Sequence, residues 1–90
     1  MNDTTQLIEA GVTIAADGAR QYFQQHQQHP ASPEAFTACV VAAVKSILPS
    51  AMFDAKAAIE ANLPDYATAT FKASMILAGI EAAKECGVAS

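Results

Sequence analysis

The chain has 90 residues and a formal net charge of −4, with 52% hydrophobic and 16% charged residues. This length corresponds to one domain (1–90) with a single core. The hydrophobic content excludes a disordered acidic tail, and four glycines and four prolines are too few for a collagen-like or low-complexity chain. Alanine accounts for 21 residues, and because it is small and the best helix former, the composition predicts an all-α protein with closely packed helices.

The first helix is predicted over about 4–28, and its apolar arc is wide enough to contact two or more neighbouring helices. Gly11 and Gly18 are seven residues apart and lie on one side of this helix. Each costs about 1 kcal/mol relative to alanine inside a helix, so we expect another helix to approach closely there. That helix could belong to the same chain or to a partner.

Two further helices are predicted on either side of a proline. Ser32 is a favourable N-cap for a helix over 33–48. Pro49 is expected to end that helix, and Ser50 can cap a short third helix over 51–62. This third helix has a narrow apolar stripe and is predicted to lie at the surface.

The fourth helix is predicted over 65–86, with Asn62 or Asp65 as its N-cap and Gly87 as the permissive residue after its end. The pattern as a whole therefore predicts a compact all-α four-helix bundle. Because the fourth helix has more apolar surface than one face can bury, the bundle is expected to be completed or extended by self-association.

The fourth helix carries two apolar faces on nearly opposite sides. The first face consists of Tyr66, Ala69, Ala73, Ile76, Leu77, Ile80 and Ala83. The second face consists of Phe71, Met75, Ala78, Ala82 and Cys86. Either the helix runs through the middle of the bundle, or one face meets another chain. We predict that the second face is exposed, which gives a candidate interface formed by Phe71, Met75, Ala78, Ala82, Gly11 and Gly18.

His26 and His29 form a His-x-x-His pair in a glutamine-rich segment. On a continued helix this spacing places both imidazoles on one side, as in some metal sites. A tight site needs three or four ligands, and the spacing matches no zinc motif. We therefore predict no metal site and interpret the pair as part of a polar helix end, where an imidazole faces the last carbonyl groups.

No catalytic arrangement is predicted, and neither is a cofactor. Cys39 is interpreted as a small buried hydrophobic residue, and Cys86 lies at a helix C-terminus, where the dipole disfavours a reactive thiolate. The carboxylates form no acid–base pair, and no phosphate loop, dinucleotide fingerprint or nucleophile elbow is present. The sequence therefore predicts a protein that is not an enzyme.

The location is predicted from segments that the sequence lacks. The N-terminus has no basic start of a signal peptide, and the longest hydrophobic run, Ala38–Val44, is far shorter than the roughly 20 residues of a membrane span. Two cysteines are too few for a disulfide scaffold. We expect a cytoplasmic protein with reduced thiols, although one bridge between Cys39 and Cys86 stays open.

The five basic residues are scattered over the helices, so neither nucleic acid nor an anionic membrane surface is an expected partner. The leading hypothesis is a non-enzymatic helical interaction module that forms a homodimer through an apolar face of its last helix. The alternative is a small acidic inhibitor or adaptor, phage- or plasmid-borne, that docks on a heterologous protein as a monomer. No residues are specific enough to indicate a family.

Overall fold

The computed structural model describes residues 3–89. Its elements in chain order are α1 (Asp3–His26), β1 (Gln28–Pro30), α2 (Pro33–Glu60), α3 (Pro64–Cys86) and β2 (Gly87–Ala89). The prediction of a compact all-α fold is confirmed. The predicted four-helix bundle is wrong, because the described part of the chain has three helices and a pair of short strands.

The predicted second and third helices are one continuous helix, α2, which runs through Pro49. A proline inside a helix removes the amide donor that would bond four residues back, here to the carbonyl of Lys45, at a cost of about 3 kcal/mol. Pro49 lies on the exposed side, while Leu48 and Ala51 next to it are buried in the core. Packing on both sides of the proline therefore keeps the helix continuous.

The two loops before α2 and α3 use different capping. The Ser32 hydroxyl accepts a hydrogen bond from the amide of Ala35 at 3.0 Å, which confirms the predicted cap of α2. Neither predicted residue caps α3, because its N-cap is Leu63, which makes no side-chain capping bond. The fixed φ of Pro64 in the first turn favours the start of α3 instead.

Residues with a left-handed backbone follow the ends of α1 and α2. Gln27 has a φ of 52° and Asn62 a φ of 64°. After α2, the amide of Leu63 donates to the carbonyl of Ala58 at 2.8 Å, which satisfies one of the last helical acceptors. The helix α1 thus ends two residues earlier than predicted, and the chain leaves it in extended form.

The strands β1 and β2 form a short antiparallel ribbon in which His29 lies opposite Val88. Gly87, predicted as the permissive residue after the last helix, does follow it and has an extended backbone with a φ of −77°. Its lack of a side chain serves packing, because a Cβ there would lie 2.8 Å from the Phe23 ring. The ribbon therefore ties the end of α3 to the segment that follows α1.

The contacts fix the direction of the helices. Ala15 lies against Gly79 and Phe23 against Gly87, so residue numbers rise together along α1 and α3, and these helices run in parallel. Phe23 also contacts Phe36 near the start of α2, which runs in the opposite direction. The helix α3 packs extensively on both of the others, whereas α1 and α2 share a smaller contact.

The core lies where the three helices meet, and alanine supplies about half of it. Its buried members from all three helices are Ala15, Ala16, Ala19, Phe23, Val40, Val44, Leu48, Ala51, Met75, Ala82 and Ala83. Small side chains let the helices approach closely, and the Cα positions span only 46 × 29 × 15 Å. The molecule is therefore a thin plate with α3 at its centre.

Candidate interaction surface

The structure places most of the predicted interface inside the chain. Met75 has no exposed surface, Ala78 and Ala82 are also buried, and Phe71 is half-buried. The Met75 side chain fills the space between α1 and α2, beside Gly11 and Val44. These residues belong to the core side of α3, so the second apolar face of that helix is not the exposed one.

The predicted glycines also pack within the chain. A Cβ at Gly11 would lie 2.6 Å from the sulfur of Met75, and one at Gly18 would lie 3.1 Å from the carbonyl oxygen of Ile76. The helix that approaches them is therefore α3 of the same chain. The sequence reasoning missed Gly79, where a Cβ would overlap the backbone of Ala15. The available signal was the recurrence of small residues four apart on both helices.

Part of the first face of α3 is exposed, although Ala83 on that face is buried in the core. Tyr66 and Leu77 are 63% and 60% exposed, although large hydrophobic side chains are usually covered. Ala69 and Ala73 are exposed on the same line, at intervals of three and four residues. We call the surface formed by Tyr66, Ala69, Ala73 and Leu77 the Leu77 face.

Shallow creases flank the Leu77 face on both sides. The larger, of about 380 Å³, lies between α3 and α2 and includes Ala42, Ala43, Ser46 and Ile47. The smaller, of about 90 Å³, lies between α3 and α1 and includes Gly18, Gln21, Tyr22 and Gln25, with Ile76 and Ile80 from α3. The Leu77 face thus lies between two creases, and Glu81 and Glu85 of α3 also line the larger one. Another helix could pack its side chains into such creases.

A second apolar surface lies where Phe71 approaches α2 and the start of α1. This groove of about 430 Å³ is lined by Leu7, Met52, Ala55, Ile59 and Phe71, with Lys56 and Glu60 at its edge. We call it the Phe71 groove. Ile59 is 62% exposed there. Of the predicted interface residues, only the half-buried Phe71 lines this groove.

The two histidines do not form a common site. The helix α1 ends at His26, and His29 lies in β1. The Nδ1–H group of His26 donates to the carbonyl oxygen of Tyr22 at 3.0 Å, and that of His29 donates to the carbonyl oxygen of Pro30 at 2.8 Å. His26 also stacks on the Tyr22 ring at 4.0 Å. Within residues 3–89, no three potential ligands form a cluster that could hold a metal.

The cysteines are both free and half-buried, and the structure brings them together. Burial, with a smaller contribution from the neighbouring Cys39, raises the pKa of Cys86 from 9.0 to about 11. Cys86 is therefore a neutral thiol at neutral pH, as its place at the end of α3 suggested. Cys39 packs against the edge of the core, in agreement with its interpretation as a small hydrophobic residue.

The charged side chains lie at the surface. Arg20 pairs with Asp17 at 3.2 Å and Lys84 pairs with Glu81 at 3.5 Å, each within one turn of a helix. Such exposed pairs contribute little to stability. No polar or charged side chain is buried in the described part of the chain, so the exposed apolar surfaces are the distinctive chemical feature of this region.

One described helix, α2, is long and apolar enough to cross a membrane by length and composition alone, with a mean hydropathy of 1.7 over its most apolar window. Lys45, Ser46 and Ser50 are exposed in the middle of this helix.

No protein-family model matches the chain, and comparisons with curated proteins and with solved structures find no match.

Proposed function

We propose that this protein is a non-enzymatic helical interaction module that forms a homodimer through the Leu77 face. The observation that carries the proposal is the exposure of Tyr66 and Leu77 on the central helix of the plate. Exposing a tyrosine and a leucine on the same side of a helix does not stabilise a monomer, whereas burying both side chains in an interface would stabilise a dimer.

The total accessible surface supports a second copy as the occupant. The chain exposes 5754 Å², whereas about 5,000 Å² is typical of a folded monomer of this mass, an excess of about 750 Å². A stable dimer of standard size buries about 800 Å² on each partner. The excess is thus close to the area that one homodimer interface would cover.

The residue types on the Leu77 face also suit a contact between two identical helices. Tyrosine is enriched at protein interfaces because its ring is largely apolar and its hydroxyl tolerates water. The small Ala69 and Ala73 lie between Tyr66 and Leu77 and would let two α3 helices approach closely. A twofold axis near Ala73 would use the same face on both copies, as closed dimers require.

The test compares two leucine-sized residues of equal exposure on the two apolar surfaces. Leu77→Lys alters the Leu77 face, and Ile59→Lys alters the Phe71 groove at nearly the same exposure. Because neither side chain is in the core, both variants should keep the helical circular dichroism of the wild type. The mass of each protein is then measured by sedimentation equilibrium at micromolar to millimolar concentrations.

We expect a dimeric wild type, a dimeric Ile59→Lys variant and a Leu77→Lys variant whose dimer dissociates at least about tenfold more easily, since a buried leucine contributes about 1.5–3 kcal/mol. The reverse pattern would move the contact to the Phe71 groove and contradict the proposed face. A wild type that is monomeric at every concentration would refute self-association and favour docking on a heterologous protein.

A further inference from the structure

A small cavity lies at the end of the plate where α1 ends and α2 begins. Its volume is about 350 Å³, within the range of about 300–1,000 Å³ that is typical of small-molecule sites. The described residues that line it come from α1, β1, α2 and the connection 31–32, and none of them comes from α3. We call the space between Arg20, Phe23, Pro30, Pro33 and Phe36 the Phe36 cavity.

The apolar walls of the Phe36 cavity are flat, and the fold holds them in place. The ring of Phe23 is buried in the core, and its centroid lies 6.0 Å from that of Phe36 at an angle of 49°. Pro30 and Pro33 flank the connection between β1 and α2, and the ring of each proline fixes its backbone φ. Between them, the hydroxyl of Ser32 accepts the capping hydrogen bond of α2 at 3.0 Å. The walls therefore suit a planar apolar group and need little ordering when one binds.

Arg20 gives the Phe36 cavity a positive charge. Among the described residues that line the cavity, Arg20 alone is charged. Its guanidinium carbon lies 5.4 Å from the centroid of the Phe36 ring, and this cation–π contact holds the positive group over the apolar wall. The Nη1 group of Arg20 also donates to a carboxylate oxygen of Asp17 at 3.2 Å, and both side chains are more than half exposed. Such a surface pair is weak and a guanidinium has five N–H donors, so Arg20 can also bind the carboxylate of a ligand.

We propose that the Phe36 cavity binds a small aromatic carboxylate. The ring of the ligand would lie against Phe36 and the two prolines, where its apolar surface is removed from water. Its carboxylate would accept two parallel hydrogen bonds from the guanidinium of Arg20, the geometry in which arginine pairs best with this group. A cationic ligand would be repelled by Arg20, and a ligand without a ring would leave the apolar walls in water.

The experiment adds cinnamate, a planar aromatic carboxylate, to the isotope-labelled full chain and follows the backbone amide signals by NMR. We expect the signals of Phe23, Ala31 and Phe36 to shift and to saturate at millimolar concentrations. Cinnamylammonium has the same planar body with the opposite charge, and acetate has the carboxylate without the ring. Each of these two compounds should bind at least about tenfold more weakly than cinnamate.

Arg20→Gln and Lys84→Gln are matched variants, because each removes an exposed cation that pairs with an acid three residues before it. Neither side chain is in the core, so both variants should fold. Arg20→Gln should raise the Kd for cinnamate at least about fivefold, whereas Lys84→Gln should leave it unchanged. Leu77→Lys should also bind cinnamate as the wild type does, so the inference does not rest on the proposed homodimer.

Three results would overturn the proposal: cinnamate that shifts no signal at millimolar concentrations, cinnamylammonium that binds as tightly as cinnamate, or an Arg20→Gln variant with the affinity of the wild type. Shifts confined to residues of the Phe71 groove would also contradict it, because they would place the ligand on a different surface.

Discussion

Three glycines face the same helix pair, but the space in front of each one differs. Gly79 of α3 lies against the backbone of Ala15, which cannot move without displacing α1. Gly18 lies against the backbone of Ile76, whereas Gly11 faces the sulfur of Met75, the flexible part of a long side chain. The requirement for glycine therefore depends on the neighbouring atom and not on helix propensity.

Gly79→Ala is expected to destabilise the protein by about 2 kcal/mol or more, because the added methyl group overlaps the Ala15 backbone and overpacks the contact. Gly11→Ala is the matched control: its methyl group would press on two side chains, Met75 and Val44, and not on a backbone. Alanine also favours the helix by about 1 kcal/mol, which offsets part of the cost of moving those side chains. The net effect of Gly11→Ala should stay within about 1 kcal/mol. Urea unfolding of both variants measures the difference. Equal destabilisation at the two sites would contradict the close backbone contact.

Met75 illustrates where residue-level reasoning failed. From the sequence, Met75 was assigned to an exposed interface on the last helix. Because Met75 is sealed in the core, Met75→Lys would bury an unpaired charge, and the variant should lose its fold. A helical wheel shows that two faces of α3 are apolar, but only the packing of α1 and α2 decides which one is covered.

At the scale of elements, the helix ends were predictable where local chemistry determines them and not where packing does. Ser32 caps α2 through a side-chain hydrogen bond that the sequence pattern predicts. Pro49 has the same local signature as a helix end, yet the core on both sides of it carries α2 onward. The ribbon of β1 and β2 was missed because each strand has only three residues, too few for an alternating pattern.

Pro49→Ala should stabilise the protein by about 1–2 kcal/mol, because alanine restores the amide donor to Lys45 and has a far better helix propensity. The gain is smaller than the full propensity difference, since proline also restricts the unfolded chain. Urea unfolding gives the free energy, and Ser50→Ala, also exposed within α2, is the control and should change it by less than about 0.5 kcal/mol. A destabilised Pro49→Ala variant would show that the proline shape is itself required.

At the scale of the whole molecule, the plate is less compact than its length permits. The radius of gyration is 13.7 Å, whereas a compact domain of this length has about 12 Å. Parallel packing of α1 and α3 with α2 alongside leaves the Leu77 face uncovered. The low thickness of the molecule and its large accessible surface are thus two consequences of the same arrangement.

If folding and association are linked as proposed, the midpoint of thermal unfolding should depend on concentration. We expect a rise of roughly a few degrees for each tenfold increase in wild-type concentration, because a dimer that dissociates on unfolding is favoured by mass action. For Leu77→Lys the midpoint should be constant over the same range. Differential scanning calorimetry measures both, and a wild-type midpoint independent of concentration would count against the dimer.

Pro49 also affects which part of the surface a partner protein can bind. Because proline has no backbone N–H, the carbonyl oxygen of Lys45 lacks the hydrogen bond that residue 49 would donate. Pro49 is exposed, so water can hydrate that oxygen. A partner that excluded water from this side of α2 would leave the Lys45 carbonyl without a hydrogen bond, at a cost of about 1–3 kcal/mol. A tight contact of this protein must therefore either leave water at the Lys45 carbonyl or avoid the part of α2 next to Pro49.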